Sequence, residues 1–171
     1  MRIRPETASD AAAIRALTDA AFRDAPHSDG TEAAIIDRLR EAGAMTLSLV
    51  AVDSGPEADG EIVGHVAFSP ALVGSGEAGW YGLGPLSVRP DVQHQGIGSL
   101  LVEEGLRRLR GAGAKGCVLI GDPAFYRRLG FESDAALTYR GLPTRNVQRF
   151  VIEPPAATGE ITYHAAFEAA A

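Results

Sequence analysis

Leu86-Ser87-Val88-Arg89-Pro90-Asp91-Val92-Gln93-His94-Gln95-Gly96-Ile97-Gly98-Ser99-Leu100-Leu101 carries the strongest structural signal in the chain. A strand-like run ends at Arg89-Pro90, glycines stand at 96 and 98, and helical periodicity begins at once. Glycines at such a junction leave main-chain N–H groups unobstructed by side chains. A helix start adds donors without intrahelical partners and the positive end of the dipole, which together suit a diphosphate. The same glycines would also serve a plain strand-to-helix turn, so the residues alone leave both readings open. Two phosphate loops are excluded. A P-loop needs Gly-Lys followed by Ser or Thr, and here Ser99 directly follows Gly98 with no lysine between. A dinucleotide fingerprint needs a third glycine where Leu101 stands, and a βαβ setting that is missing.

Downstream, Ile97, Leu101, Val102, Gly105, Leu106 and Leu109 fall on one half of a helical wheel, and Gly111 and Gly113 end the helix. Glu103, Glu104, Arg107 and Arg110 occupy the other half, with Glu103 and Arg107 spaced as an i,i+4 ion pair. A buried strand (Gly116–Ile120), a short helix (Pro123–Leu129) and strands near 137–140, 147–152 and 161–164 are predicted to follow. Upstream, Ile62–Val73 and Gly79–Val88 read as a hairpin joined by Gly74-Ser75-Gly76-Glu77. Before it lie an edge strand closed by Pro5, a helix capped by Thr7 or Ser9, and the loop Asp24–Gly30. A second helix carries Ile35, Ile36 and Leu39, a strand spans Met45–Val52, and a polar loop runs from Asp53 to Gly60. This order predicts one mixed α/β (α+β) domain over residues 1–171, with a core to about 152 and a C-terminal strand and Ala-rich tail over 153–171.

The composition is that of an ordinary globular protein, and no apolar run approaches the roughly 20 residues of a membrane span. The N-terminus lacks a signal-peptide core, so a cytoplasmic location without membrane partners is expected. A formal charge of −6 argues against a nucleic-acid partner. The single cysteine, Cys117, excludes an internal disulfide and a multi-cysteine metal site, and its apolar neighbours suggest an inert core thiol. No metal is expected.

The decisive stretch resembles the coenzyme-A-binding motif Q/R-x-x-G-x-G/A of the GNAT N-acetyltransferases, matched in full by Gln93-His94-Gln95-Gly96-Ile97-Gly98. Leu86-Ser87-Val88 resembles the family's strand that splays at a bulge and pairs with the pantetheine arm. Phe125-Tyr126-Arg127-Arg128-Leu129-Gly130-Phe131 resembles its Y-x-x-x-G-F segment. Gly64-His65, Gly84-Pro85-Leu86, Gly121-Asp122-Pro123 and Tyr163-His164-Ala165-Ala166-Phe167 are similar to the YhbS-like branch of that family. The resemblance implies a GNAT fold: a single mixed, largely antiparallel sheet with a central splayed strand pair, flanked by helices. It implies acetyl-CoA as co-substrate, held by residues 86–88 and by Gln93, His94, Gln95, Gly96, Ile97, Gly98 and Ser99. It further implies transfer to a small-molecule or peptide amine by direct attack in a ternary complex, and Tyr126 as the acid that protonates the departing thiolate. Many relatives pair as dimers through C-terminal strands, which makes a homodimer one reading of the assembly.

Relatives often carry a glutamate on the strand ending at 88 as general base, but Gly82–Val88 contains no carboxylate. Glu77, Asp122, His65, Glu32 or a water relay are the candidates. Without an evident base, a non-catalytic acyl-CoA-binding module is the alternative, and Tyr126 argues against it. Glu32, Asp29, Glu77 and Asp122 near loops or strand ends suggest a negative entrance for a cationic amine, with a solvated acidic surface as the plain alternative.

Overall fold

The computed structural model describes residues 1–56 and 60–168; residues 57–59 of the expected polar loop and the last three of the Ala-rich tail lie outside the described residues. The elements in chain order are β1 (Arg2–Pro5), α1 (Ala11–Phe22), α2 (Glu32–Glu41), β2 (Leu47–Val52), β3 (Ile62–Val73) and β4 (Trp80–Val88). Then come α3 (Ile97–Gly111), β5 (Gly116–Ile120), α4 (Pro123–Tyr126), β6 (Leu137–Thr138), β7 (Val147–Val151) and β8 (Gly159–Tyr163). The expected caps and turns explain most boundaries. Asp10 accepts from the Thr7 N–H at 2.7 Å in a capping box that opens a single 3-10 turn before α1. The expected helix over Pro123–Leu129 is α-helical only to Tyr126 and closes as a 3-10 turn ending at Gly130. The expected Glu103–Arg107 pair is replaced: Arg107 turns one residue further round the helix to Glu104, which also binds Arg108.

The sheet runs β1-β2-β3-β4-β5-β7, while β8 pairs with the far end of β3 and with β6. All neighbours in the main run are antiparallel except β4 and β5. Alternation along β2 separates two cores. Leu49 and Ala51 pack with Ile97 and Leu101 of α3, whereas Val50 and Val52 pack with Ile14 of α1 and Ile36 of α2. With both faces covered, β2 is nearly continuous in apolar residues.

The opening that makes a site lies between β4 and β5. Only Trp80–Gly82 pair with Gly116–Val118, after which the strands part. The cause is local. Leu83 faces Phe68 and Leu86 faces Val66, so β4 carries one extra residue over that interval. That bulge falls at Gly84-Pro85, where Gly84 has φ +134° and Pro85 has no N–H for a ladder. A bulge bends its strand and raises its twist, which carries Leu86–Val88 away from β5. The carboxyl half of β4 is thereby left with one edge that no strand pairs with among the described residues.

A polar cluster is buried under α1. His65 is 0% exposed, its Nε2 lies 2.8 Å from Ser48 Oγ, and its Nδ1 has no partner among the described residues. Beside it, Ser87 Oγ donates to Thr18 Oγ1 at 3.4 Å. Burial, with the Arg40 charge nearby, lowers the His65 pKa from 6.5 to about 3. A folded-state value below the unfolded one gives a contribution that is whole above pH 6.5 and lost as pH falls toward 3, since only the unfolded chain takes up the proton in that window. The slope is about 1.4 kcal/mol per pH unit. Asp10 and Glu104, lowered to about 2 by Arg4 and by Arg107 with Arg108, contribute stability that is whole above their ordinary values of 3.8 and 4.5 and is lost only as pH falls from there toward 2. Urea unfolding should therefore show stability falling between about pH 6.5 and 4.5, with His65→Gln flattening that fall. An unchanged slope in the variant would assign it to another group.

Candidate active site

Two cavities meet at the opened strand. The first is a groove of about 480 Å³ lined by β4, the loop before α3 and the first turn of that helix, with Phe125 and Arg128 opposite. Its floor is main chain. Among the described residues, none of the seven N–H groups from Gln93 to Ser99 donates to an acceptor within the protein. His94 (φ +63°) and Gly96 (φ +88°) both take left-handed conformations, which turn successive amides toward one side. Gln93 Nε2 donates to Val88 O at 3.0 Å and fixes this loop to the strand end. A Cβ on Gly98 would lie 3.4 Å from Phe125 and 3.7 Å from Leu86 and Val88, so hydrogen at that position keeps the groove open.

The strand offers a second set of donors. Arg89 N–H donates to Val63 O at 2.9 Å, which makes 63/89 a hydrogen-bonded pair, and by alternation 65/87 as well. The N–H and C=O groups of Leu86 and Val88 therefore point away from β3, into the gap left by β5.

The second cavity, about 460 Å³, lies on the other side of Leu86, which lines both. Its walls are aromatic: Phe22 from α1, Tyr126 from α4, Tyr139 after β6, and Tyr163 and Phe167 from the C-terminal segment. Tyr139 and Tyr163 meet edge to face at 5.1 Å, and Phe167 stacks at a tilt on Tyr163 at 5.0 Å. Arg38 of α2 holds the C-terminal wall in place through the carbonyls of Ala166 (3.1 Å) and Glu168 (2.9 Å). Glu32 and Asp122 supply the charge of this cavity.

Residues 47–133 match the acetyltransferase (GNAT) domain. Over 132 residues the chain is 42% identical to the N-acetyltransferase YhbS of Escherichia coli K12, a span of 77% of this chain and 74% of that protein. The chain belongs to the GNAT acetyltransferase family. Among solved structures, a GNAT family acetyltransferase from Brucella melitensis in complex with acetyl-CoA superposes with a TM-score of 0.84 at 49% identity, over 98% of this chain and 97% of that one. YhbS from Escherichia coli in complex with CoA gives a TM-score of 0.85 at 36% identity, over 99% and 93% of the two chains. The expected GNAT fold is the one observed, including the parted pair at the centre of the sheet.

Within this acetyltransferase the expected site residues divide. Leu86, Val88, Gln93, His94, Gly96, Ile97, Gly98 and Ser99 line the groove together. Ser87 does not, because alternation turns its side chain to the opposite face, where it is 1% exposed beside Thr18. Gln95 is exposed on the loop, outside the groove lining. Tyr126 lines the second cavity, its ring edge to face with Phe125 at 4.8 Å and Phe131 at 5.6 Å. Burial pushes its phenol well above the usual 10, so it stays protonated through the neutral range.

The four base candidates separate cleanly. His65 is sealed beneath α1, and Glu77 stands 4.0 Å from Lys115 near the β3–β4 turn, at the end of β4 away from the groove. Glu32 and Asp122 both reach the cavity. Asp122 Oδ1 accepts from Ala124 N at 2.9 Å and caps α4, while Glu32 Oε1 accepts from Ser28 Oγ at 2.5 Å. Asp29 is turned to Thr31. The aromatic walls at Phe22, Tyr139, Tyr163 and Phe167 were not legible as site residues, since they come from three segments far apart in the chain with no shared spacing.

Proposed function

We propose that the chain transfers an acetyl group from acetyl-coenzyme A to a primary amine, by direct attack with both substrates bound. The observation that carries this reading is the pair of cavities meeting at Leu86, one floored by unpaired amides and one walled by aromatic rings. The residues present fit the co-substrate. The amides of Gln93–Ser99 at the start of α3 suit its diphosphate, and the free edge of Leu86–Val88 suits the amide-rich arm. The bound thioester supplies the acetyl group. The Val88 N–H, aimed into the gap, is placed to hydrogen-bond the carbonyl oxygen as it gains charge. Glu32 and Asp122 are the carboxylates placed to draw a proton from the incoming ammonium, directly or through water. Tyr126 stays protonated and hydrogen-bonds the sulfur as the C–S bond breaks and the C–N bond forms. Of the two protons the ammonium sheds, one ends on sulfur and one in solvent.

Acetyl-CoA, NAD and ATP should be compared as stabilisers in thermal unfolding, followed by thiol release from acetyl-CoA across a panel of amines. A ligand at 100 times its Kd adds about 2.7 kcal/mol, so acetyl-CoA alone should raise the midpoint. Thiol release should depend on the amine. Stabilisation by NAD or ATP instead, or thiol release independent of every amine, would overturn the proposal.

A further inference from the structure

The charges of the two cavities are sorted by sign. The groove holds Arg128 and no carboxylate, while the aromatic cavity holds Glu32 and Asp122 and no basic residue among the described residues. Neither carboxylate of that cavity has a cationic partner among the described residues, although most other acids near an arginine are paired. Each spends one oxygen on a neutral donor and leaves the other free. Arg140, over the Tyr139 ring at 5.3 Å, is paired with Glu168. The hydroxyls of Tyr126, Tyr139 and Tyr163 also make no hydrogen bond among the described residues. An acid pair set among aromatic faces attracts a cation twice, through the carboxylates and through the ring quadrupoles. Beyond the two carboxylates and the three phenol hydroxyls, a ligand body meets mostly apolar wall.

We infer that the acceptor of this enzyme is a primary ammonium carried on a compact aromatic body and bearing no carboxylate of its own, with Glu32 as the group that anchors its nitrogen. This rests on the reading of the second cavity as the acceptor site. Glu32 opens α2 and lines the same cavity as Tyr163 and Phe167, so it can meet the nitrogen while the rings meet the body. An added carboxylate on the ligand would stand in the field of Glu32 and Asp122 and be rejected.

The probes are 2-phenylethylamine, its neutral analogue 2-phenylethanol, its carboxylate-bearing analogue L-phenylalanine, and n-butylamine, which keeps the charge and loses the ring. Binding is measured by calorimetry on the full chain saturated with coenzyme A, so that no turnover is needed, with acetyl-CoA titrated separately. 2-Phenylethylamine should bind at least tenfold more tightly than each of the other three. Glu32→Gln should remove most of that preference over 2-phenylethanol and raise KM for the amine more than it lowers kcat, leaving acetyl-CoA affinity unchanged. Equal binding of L-phenylalanine or 2-phenylethanol, or an unaltered preference in Glu32→Gln, would overturn the inference. If acetyl-CoA itself fails to bind, the proposed function fails instead. If acetyl-CoA binds and only n-butylamine or other ring-free amines are acetylated, the function stands and the inference falls.

Discussion

Gly98→Val is expected to weaken coenzyme A binding by roughly 100-fold or more, about 2.7 kcal/mol, in a protein that still folds. Gly98 sits in the first turn of α3 on the groove side, and a Cβ there would already approach Phe125 to 3.4 Å. The two γ-methyl groups of valine would extend past that contact into the space over the amides of Gln93–Ser99. Those amides have no acceptor among the described residues, so blocking them removes a ligand's hydrogen bonds and disturbs none of those the fold makes there. Gly98 lacks the positive φ of Gly96, and valine at the edge of a helix costs only a fraction of a kcal/mol in propensity. Gly98→Ala, which adds only the tolerated Cβ, should fall between wild type and valine. Calorimetry with coenzyme A and a thermal melt on each variant decide the matter. A folded Gly98→Val protein with wild-type affinity would place the diphosphate elsewhere.

Tyr126→Phe should lower kcat by about 100-fold, the low end of the usual range for general acid assistance, or about 2.7 kcal/mol at the barrier. The reason for the low end is a mismatch of proton affinities. A thiolate comparable to cysteine, with a pKa of about 8.5, is a weaker base than a phenolate with a pKa of about 10. Burial raises the Tyr126 phenol further, so full transfer of its proton to sulfur runs uphill and the hydroxyl acts chiefly as a donor to developing charge. The same shift fixes the pH profile. Deprotonation of Tyr126 begins only above its raised pKa, so it should impose no alkaline fall on kcat below about pH 10. The ring itself is locked by Phe125 and Phe131 and lies against Gly121, where a Cβ would come within 2.6 Å of it. Its hydroxyl has no partner among the described residues, so phenylalanine should keep the packing, the melting point and the acetyl-CoA affinity. Full turnover in the variant would make Tyr126 structural. An equal loss of affinity and turnover would make its hydroxyl a cofactor contact.

The order of elements was readable from the chain alone. The residues Gln93-His94-Gln95-Gly96-Ile97-Gly98 marked a glycine-bearing helix start within six residues, while leaving phosphate binding and a plain turn both open until the resemblance was added. The hairpin at Gly74–Glu77 and the buried strand at Cys117 were legible for the same reason, because turn chemistry and apolar periodicity act over short spans. Alternation could also have warned that Ser87, between two groove residues on one strand, faces the other way. The aromatic cavity, by contrast, exists only in the folded chain. Phe22, Glu32, Tyr126, Tyr139 and Tyr163 are scattered over most of the chain and become neighbours because the bulge at Gly84-Pro85 parts β4 from β5, while β8 returns beside β3. Folding also decided among the carboxylates. Glu77 and Glu32 are equally acidic in the sequence, but one is placed beside Lys115 at the far end of β4 and the other lines the aromatic cavity, without a cationic partner among the described residues. Motifs of adjacent residues carry main-chain recognition, whereas a pocket that must fit a particular amine is assembled from long-range packing that no local spacing encodes.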